Sequence, residues 1–473
     1  MKLNKAMTTG SEWKQILFFS LPIMAGNILQ QLYNTVDGIV VGNYVSEGAL
    51  AAVGTSDVLN MVFMSLAIGL GSGSSIMISQ LFGAQRMNDL KKAVSTALIT
   101  QLVLGIVLSL SASFGARFLL GTVLGVKDTE LLEMAVSYFR IIAMGLVFQF
   151  MYNSIAAVLR AVGDSRPTLY FLMVASVMNV GLDLLFVVSF GMGVAGAALA
   201  TIIAQFVSMV VSAIYMTRKY EMFRFKRGEF VFDISKAKMN LRLGIPTTLQ
   251  QLVMSFGNIF MQRLVNSFGQ TTMAAFTVGQ RIESYLFVTI FGFGIGMSTF
   301  SGQNMGAGKI DRIKKGWRST VFMSGGITIA LSTVIYIFAG QVSGLFGVGG
   351  EAMARSVEFV RYMSFFFVLF SFYNVTAATL QGTGDVLYAA LCTMSTLFTR
   401  VCLAYVFAYV LDMGYPSIWR PIPIGWAIAS TFAVLRYASG KWKTKGIISD
   451  LPADTASVAV SSGEGTRDGD SPE

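Results

Sequence analysis

Two carboxylates, an amide and a hydroxyl interrupt long apolar stretches in the first half of the sequence: Asp37, Asp183, Asn179 and Thr201. A carboxylate inside a lipid-spanning segment costs about 2.5 to 3.5 kcal/mol on insertion scales, so one that persists there usually faces a cavity and serves function. Asp37 falls a little over one helical turn before the far end of the first apolar stretch, and Asp183 under two turns before the far end of the fifth. With alternating chain directions the two reach a similar depth. Asn179 lies one turn from Asp183 on the same helical face, and Thr201 reaches that depth about two turns into the sixth stretch. Such oxygen ligands converging in a low dielectric suit a proton shared between carboxylates or an oxygen-ligated monovalent cation. The plainer alternative is four helix-end residues touching water.

The rest of the composition narrows this chemistry. Histidine is absent, and the two cysteines, Cys392 and Cys402, share one apolar stretch. Proton or ion chemistry therefore falls to carboxylates, with no material for a disulfide framework. No cofactor is expected, and no metal beyond sodium at Asp37, Asn179, Asp183 and Thr201. No phosphate loop, GxSxG or HExxH motif occurs, so energy for any work must come from an ion gradient.

A second group lies in the other half. Arg281 and Glu283 occur together inside an apolar stretch, as a substrate contact or a structural packing pair between lobes. Their i,i+2 spacing sends them to different helix faces, each toward another partner. Arg140, Arg263 and Arg400 are weaker candidates, because arginine can snorkel or bond carbonyls. Pro22 and Pro246 each remove a helical hydrogen bond and mark places where a helix can bend. Gly69, Gly71 and Gly73 suit close helix packing. The 37 Phe and 27 Met would suit an adaptable apolar cleft, though most must face lipid or core.

These residues need elements to hold them, and the solvent for those elements is mostly lipid. Hydrophobic residues make up 54% of the chain and charged ones 13%, against about 25% charged in soluble proteins. Apolar runs predict an all-α polytopic protein with spans near 16–41, 51–79, 93–114, 132–159, 168–190 and 194–217. Six more follow near 245–266, 273–305, 317–340, 356–381, 386–411 and 418–436, the last interrupted at its start by Pro421 and Pro423. The first run is too long for a secretory signal core. Lysines and arginines collect on one set of alternate loops, from Lys2, Lys5 and Lys14 through Arg218–Arg242 to Lys445, while the other set keeps few beyond Arg117, Lys127 and Arg420. Both termini are therefore expected in the cytoplasm of a multi-pass protein of the cell membrane. The formal net charge of +10 is mostly this orientation signal facing anionic lipid, and no nucleic-acid partner is needed to explain it.

The halves repeat. Pro22 matches Pro246, Gly54 matches Gly279, Gln80-Leu81-Phe82-Gly83-Ala84 matches Gln303-Asn304-Met305-Gly306-Ala307, and Gly163-Asp164 matches Gly384-Asp385. The offset stays between 221 and 225. Six spans per half give both halves the same topology, a transporter arrangement in which two lobes rock about a central cleft. The expected organisation is an N-lobe over 1–217, a cytoplasmic linker over 218–242, a C-lobe over 243–445 and a disordered acidic tail over 446–473. The repeat also supplies a control, since the counterparts of Asp37, Asn179 and Asp183 lie near Met261, Arg400 and Ala404. The architecture does not require carboxylates there, which favours a functional role for the acids.

Leu32-Tyr33-Asn34-Thr35-Val36-Asp37, Leu159-Arg160-Ala161-Val162-Gly163-Asp164, Asn179-Val180-Gly181-Leu182-Asp183 and Gly191 through Thr201 resemble the multidrug and toxic compound extrusion (MATE) family, over roughly residues 15–445. The resemblance implies two six-helix lobes forming a V, and antiport of cationic or amphipathic drugs against sodium or protons; a monomer is expected. In the DinF-like and archaeal branch it implies coupling by first-lobe acids, here Asp37 and Asp183, with Asn179 and Thr201 as ion ligands. NorM-like and eukaryotic members carry a glutamate early in span 7, where this chain has Met254. Two other readings stand beside it: a lipid-linked-precursor flippase of the same superfamily, which would place cations in its cleft to hold a pyrophosphate, and a multispan membrane enzyme, against which the lack of histidine argues.

Overall fold

The computed structural model describes residues 6–226 and 228–450, with side chains throughout except at 33–34, 36–43, 47 and 449–450. The first lobe contains α1 (Glu12–Tyr44), α2 (Glu47–Gly83), α3 (Met87–Phe118), α4 (Thr129–Ala161), α5 (Arg166–Asp183) and α6 (Gly193–Lys219). The second contains α7 (Ile234–Ser267), α8 (Gln270–Gly306), α9 (Ile310–Ile337), the short α10 (Ala339–Gly344), α11 (Gly350–Ser364), α12 (Phe367–Gly382), α13 (Val386–Tyr409) and α14 (Pro421–Ala438). Among the described residues nine helices are long and apolar enough to cross a membrane, and α11 with α12, bent by 50° at their junction, make a tenth. α1 and α7 complete twelve spans: at 33 and 34 residues each is about 50 Å long. α7 is the more polar of these, because its middle carries Thr247, Gln250, Gln251 and Asn258 toward a cavity between the helices.

Each expected span falls on a helix, with three differences of boundary. The connector between lobes is shorter than 218–242, since α6 runs to Lys219 and α7 begins at Ile234. Asp233 caps α7 by accepting hydrogen bonds from the Ser235 and Lys236 amides at 2.9 and 3.1 Å, and Lys236 is anchored on Asp89 at 2.7 Å. The tenth span is broken at residues 365–366 rather than continuous. Pro421 starts α14 instead of interrupting it, because a proline in the first turn has no intrahelical N–H to lose. Pro22 and Pro246 stand inside α1 and α7, which both continue through them.

The repeated Gly-Asp pairs anchor each lobe at the end that carries the termini. Gly163 and Gly384 take positive φ, +89° and +98°, which turns the chain between helices. The buried Asp164 then accepts hydrogen bonds from the Tyr215 and Tyr220 hydroxyls at 3.1 and 2.6 Å. Burial and the bond to Asp164 push the Tyr220 phenol well above its ordinary range, so it remains a donor. Asp385 accepts two bonds from Arg436 on α14, at 2.6 and 3.1 Å. In both cases the turn after the lobe's fourth span is tied to its last helix or the residues just after it.

The lobes meet along their termini-side halves, and small residues set how closely. A methyl group on Gly69 would lie 2.0 Å from the Thr248 hydroxyl, and one on Gly73 would lie 2.6 Å from the Gly244 nitrogen. The predicted close packing at Gly69 and Gly73 is thus packing between lobes. Deeper still, Gly83 abuts the Gln303 carbonyl and Gly306 abuts the Gln80 carbonyl, each 1.9 Å from where a Cβ would sit. The Gln80 and Gln303 side chains cross over reciprocally. Gln80 Nε2 donates to the Gly382 carbonyl at 3.0 Å and its Oε1 accepts from the Ile447 amide at 2.8 Å. Gln303 Nε2 donates to the Ala161 carbonyl at 2.8 Å and its Oε1 accepts from the Met7 amide at 2.7 Å. Each glutamine therefore joins its own lobe to the opposite lobe and to one end of the chain, and the V has its vertex here.

One expectation changes as a result. The tail begins later than residue 446, because Ile447 is buried against the first lobe's core and bonded to Gln80. An apolar side chain with a paired amide has reason to stay packed. Residues 451–473 lie outside the described residues.

Candidate functional site

The polar residues of the first lobe sit at the far end of α5. Asn179 and Asp183 are buried on one face, 1% and 0% exposed, and Asn179 Nδ2 donates to the Thr201 hydroxyl on α6 at 3.3 Å. The Asn179 carbonyl oxygen is buried without a hydrogen-bond partner among the described residues, leaving an acceptor one turn from a carboxylate. α5 ends at Asp183 and gives way to a π-helical turn, Leu184–Ser189, a local widening that re-aims side chains and recurs at functional sites. α1 packs along α5 and reaches this turn. The backbone of Asp37 lies in the last two turns of α1, while its side chain lies outside the described residues. Oxygen donors from Asn179, Asp183 and Thr201 are the right kind for sodium or a proton and offer nothing to a soft metal.

The repeat positions behave differently. Met261 and Ala404, opposite numbers of Asp37 and Asp183, are buried in the second lobe's apolar core, 1% and 0% exposed. Arg400, opposite number of Asn179, instead faces a cavity of about 710 Å³ that lies mostly in the second lobe and reaches the first through α2 and α4. Glu283 lines the same cavity and is only 7% exposed. Each of the two is the other's electrostatic partner, but they do not close into an ion pair: Glu283 Oε1 and Arg400 Nε are both buried and without hydrogen bonds among the described residues. Arg281, two residues from Glu283, points away and is exposed. Arg140 and Arg263 are exposed as well.

Aromatic rings form one wall of the cavity. Phe370 meets Phe287 at 5.0 Å, Phe291 at 5.8 Å and Trp426 at 4.9 Å between ring centroids. Arg160, near the termini-side end of α4, and the amides of Gln250, Gln251, Asn258, Gln280 and Asn374 supply the polar parts. Sequence reasoning singled out Glu283 but ranked Arg400 low. Their meeting depends on which faces of α8 and α13 turn inward, and no local pattern encodes that. The reciprocal glutamines were visible as a repeat pair, and only their side-chain directions were hidden.

The MatE family profile matches residues 22–185 and 246–406. The probable multidrug resistance protein YoeA of Bacillus subtilis (strain 168) is 28% identical over 449 residues, covering 92% of this chain and 96% of that protein. A transporter of the MOP superfamily from Pyrococcus furiosus superposes with a TM-score of 0.87 at 27% identity, over 94% of this chain and 99% of that one. The outward-facing conformation of a multidrug resistance MATE family transporter gives a TM-score of 0.86 at 27% identity, over 93% and 98% of the two chains. With a repeated pair of six-span lobes, a cavity lined by helices of both and matches that run nearly end to end, the chain belongs to the MatE family of multidrug transporters and not to the enzymes.

Proposed function

We propose that this transporter is a secondary active antiporter of the cell membrane, with cytoplasmic termini, that exports amphipathic compounds carrying a cationic group in exchange for protons or sodium. The observation that carries this reading is the pair of buried residues Asp183 and Asn179, the latter bonded to the half-buried Thr201, set in a lobe whose repeat counterpart has apolar or cationic residues instead. Such a cluster is costly in lipid and has no packing role that Ala404 does not fill equally well in the other lobe. In this reading Asp37 acts as the second acid, and loading either acid with a cation neutralises charge in the first lobe. Pro22 weakens α1, so a loaded and an unloaded site can favour different shapes of that helix and of the cavity. A drug and an ion that favour opposite shapes exchange without needing to touch. Nothing in the reading requires a second copy of the chain.

The arginines of the cavity give the flippase alternative its one support, because cations there could hold a pyrophosphate. Glu283, facing Arg400, would repel that group, and the multidrug names of the relatives point the same way. Ethidium efflux from a drug-sensitised host, measured with and without sodium and with an uncoupler, tests the antiport. Efflux that collapses with one gradient identifies the coupling ion, and efflux indifferent to both refutes the reading.

A further inference from the structure

The charges lining the central cavity are unlike those of a simple trap for cations. Its ionisable lining consists of Glu283, Arg400 and Arg160, with formal charges that sum to +1, together with the phenol of Tyr373. A solute bearing only positive charge gains from Glu283 and loses to two arginines. Removing a charged group from water is costly, and inside a protein that cost is normally recovered by direct pairing. Glu283 and Arg400 have not paired, although each is the other's electrostatic partner, and both present a buried polar atom with no bond among the described residues. Both residues line the same cavity. Beside it, Phe287, Phe291, Phe370 and Trp426 form a continuous aromatic wall.

We propose that Glu283 and Arg400 form a two-point site for zwitterionic aromatic solutes, with the solute ammonium at Glu283, its carboxylate at Arg400 and its ring against Phe287, Phe370 and Trp426. The inference rests on the efflux reading and narrows it: among compounds carrying a cationic group, those that also carry a carboxylate are preferred. Each end of such a solute replaces the water lost by one buried charge. Guanidinium is suited to the carboxylate because its planar fork can donate two parallel bonds. A cavity of about 710 Å³ is within the range that holds a drug-sized molecule.

The test compares a zwitterionic fluoroquinolone with its ethyl ester, which keeps the ammonium and lacks the carboxylate, by calorimetry on the full chain in lipid nanodiscs. In the unaltered protein the acid should bind about tenfold more tightly than the ester, the order expected for a charge-assisted carboxylate contact. Arg400→Gln should remove that preference and leave the ester's affinity within about twofold, while Glu283→Gln should weaken both compounds. Equal binding of acid and ester to the unaltered protein overturns the proposal without recourse to any variant. So does a preference that survives in Arg400→Gln. If the preference is absent but ester and ethidium are still exported along an ion gradient, this site assignment falls and the efflux reading stands. If no compound is exported along any gradient, both fall together.

Discussion

Replacing Gln80 by leucine should tilt the balance between the lobes toward opening at the end that carries the termini. The side chain makes two buried hydrogen bonds, to the Gly382 carbonyl and from the Ile447 amide, and both must break if the lobes part there. In the parted state water would satisfy the same groups. Each bond therefore contributes about 0.5 to 1.5 kcal/mol to the difference between states, and the pair contributes about 2 kcal/mol. At 1.4 kcal/mol per tenfold, Gln80→Leu should raise the ratio of open to closed at this end by about thirtyfold. Gln303→Leu, which removes the reciprocal bonds to Ala161 and Met7, should shift it by a similar factor. Spin labels at Lys92→Cys and Lys315→Cys, exposed equivalents in opposite lobes, would report the separation by pulsed electron resonance once Cys392 and Cys402 have been replaced. A longer-distance population should grow in each variant. Unchanged distances in both, in monodisperse protein, would show that the glutamines pack the vertex without holding it shut.

Truncation after residue 450 should leave efflux and thermal stability unchanged, whereas truncation after Lys445 should lower the melting temperature in detergent, because only the latter removes Ile447 from its buried seat. Asp385→Ala leaves Arg436 without its two-bond partner at the lobe end, and breaking a pair of this kind costs about 3 kcal/mol where it is buried. Arg436 is partly open to water, so the loss should fall below that figure, and thermal unfolding would read it as a melting point lowered by a few degrees. Gly306→Val should be worse tolerated than Gly326→Val, since a Cβ at Gly306 would meet the Gln80 carbonyl at 1.9 Å while Gly326 faces open space. Comparing the monodisperse yield of the two variants checks this.

The spans, the lobes and their relation were legible in the sequence because lipid enforces simple rules: long apolar runs, backbone bonds closed within helices, and basic residues segregated by loop. The boundaries that shifted did so where side-chain chemistry outranks hydropathy. Asp233 caps α7 well before its apolar stretch begins, and Pro421 opens a helix it was expected to disturb. Ile447 reads as part of a polar tail because the segment that follows it is mostly small and acidic, yet Ile447 and Ile448 pack on the first lobe's core and the Ile447 amide bonds to Gln80. The contact between Asn179 and Thr201 was readable because helix direction brings α6 to the depth of the end of α5, and i,i+4 spacing puts Asp183 on the face of Asn179. The second-lobe pair was not, since Glu283 and Arg400 are 117 residues apart and meet only through the packing of α8 and α13 around the cavity.

The coupling role proposed for the first lobe is tested most directly by Asp183→Asn in proteoliposomes, with drug accumulation driven by an imposed proton or sodium gradient and drug binding measured in the same preparation. The substitution keeps the size of the buried side chain and removes its charge. Asp183→Asn should bind drug with affinity near that of the unaltered protein and accumulate none under the gradient that drives it, as should Asp37→Asn. Full gradient-driven accumulation by Asp183→Asn would contradict the account and move ion coupling away from the first lobe.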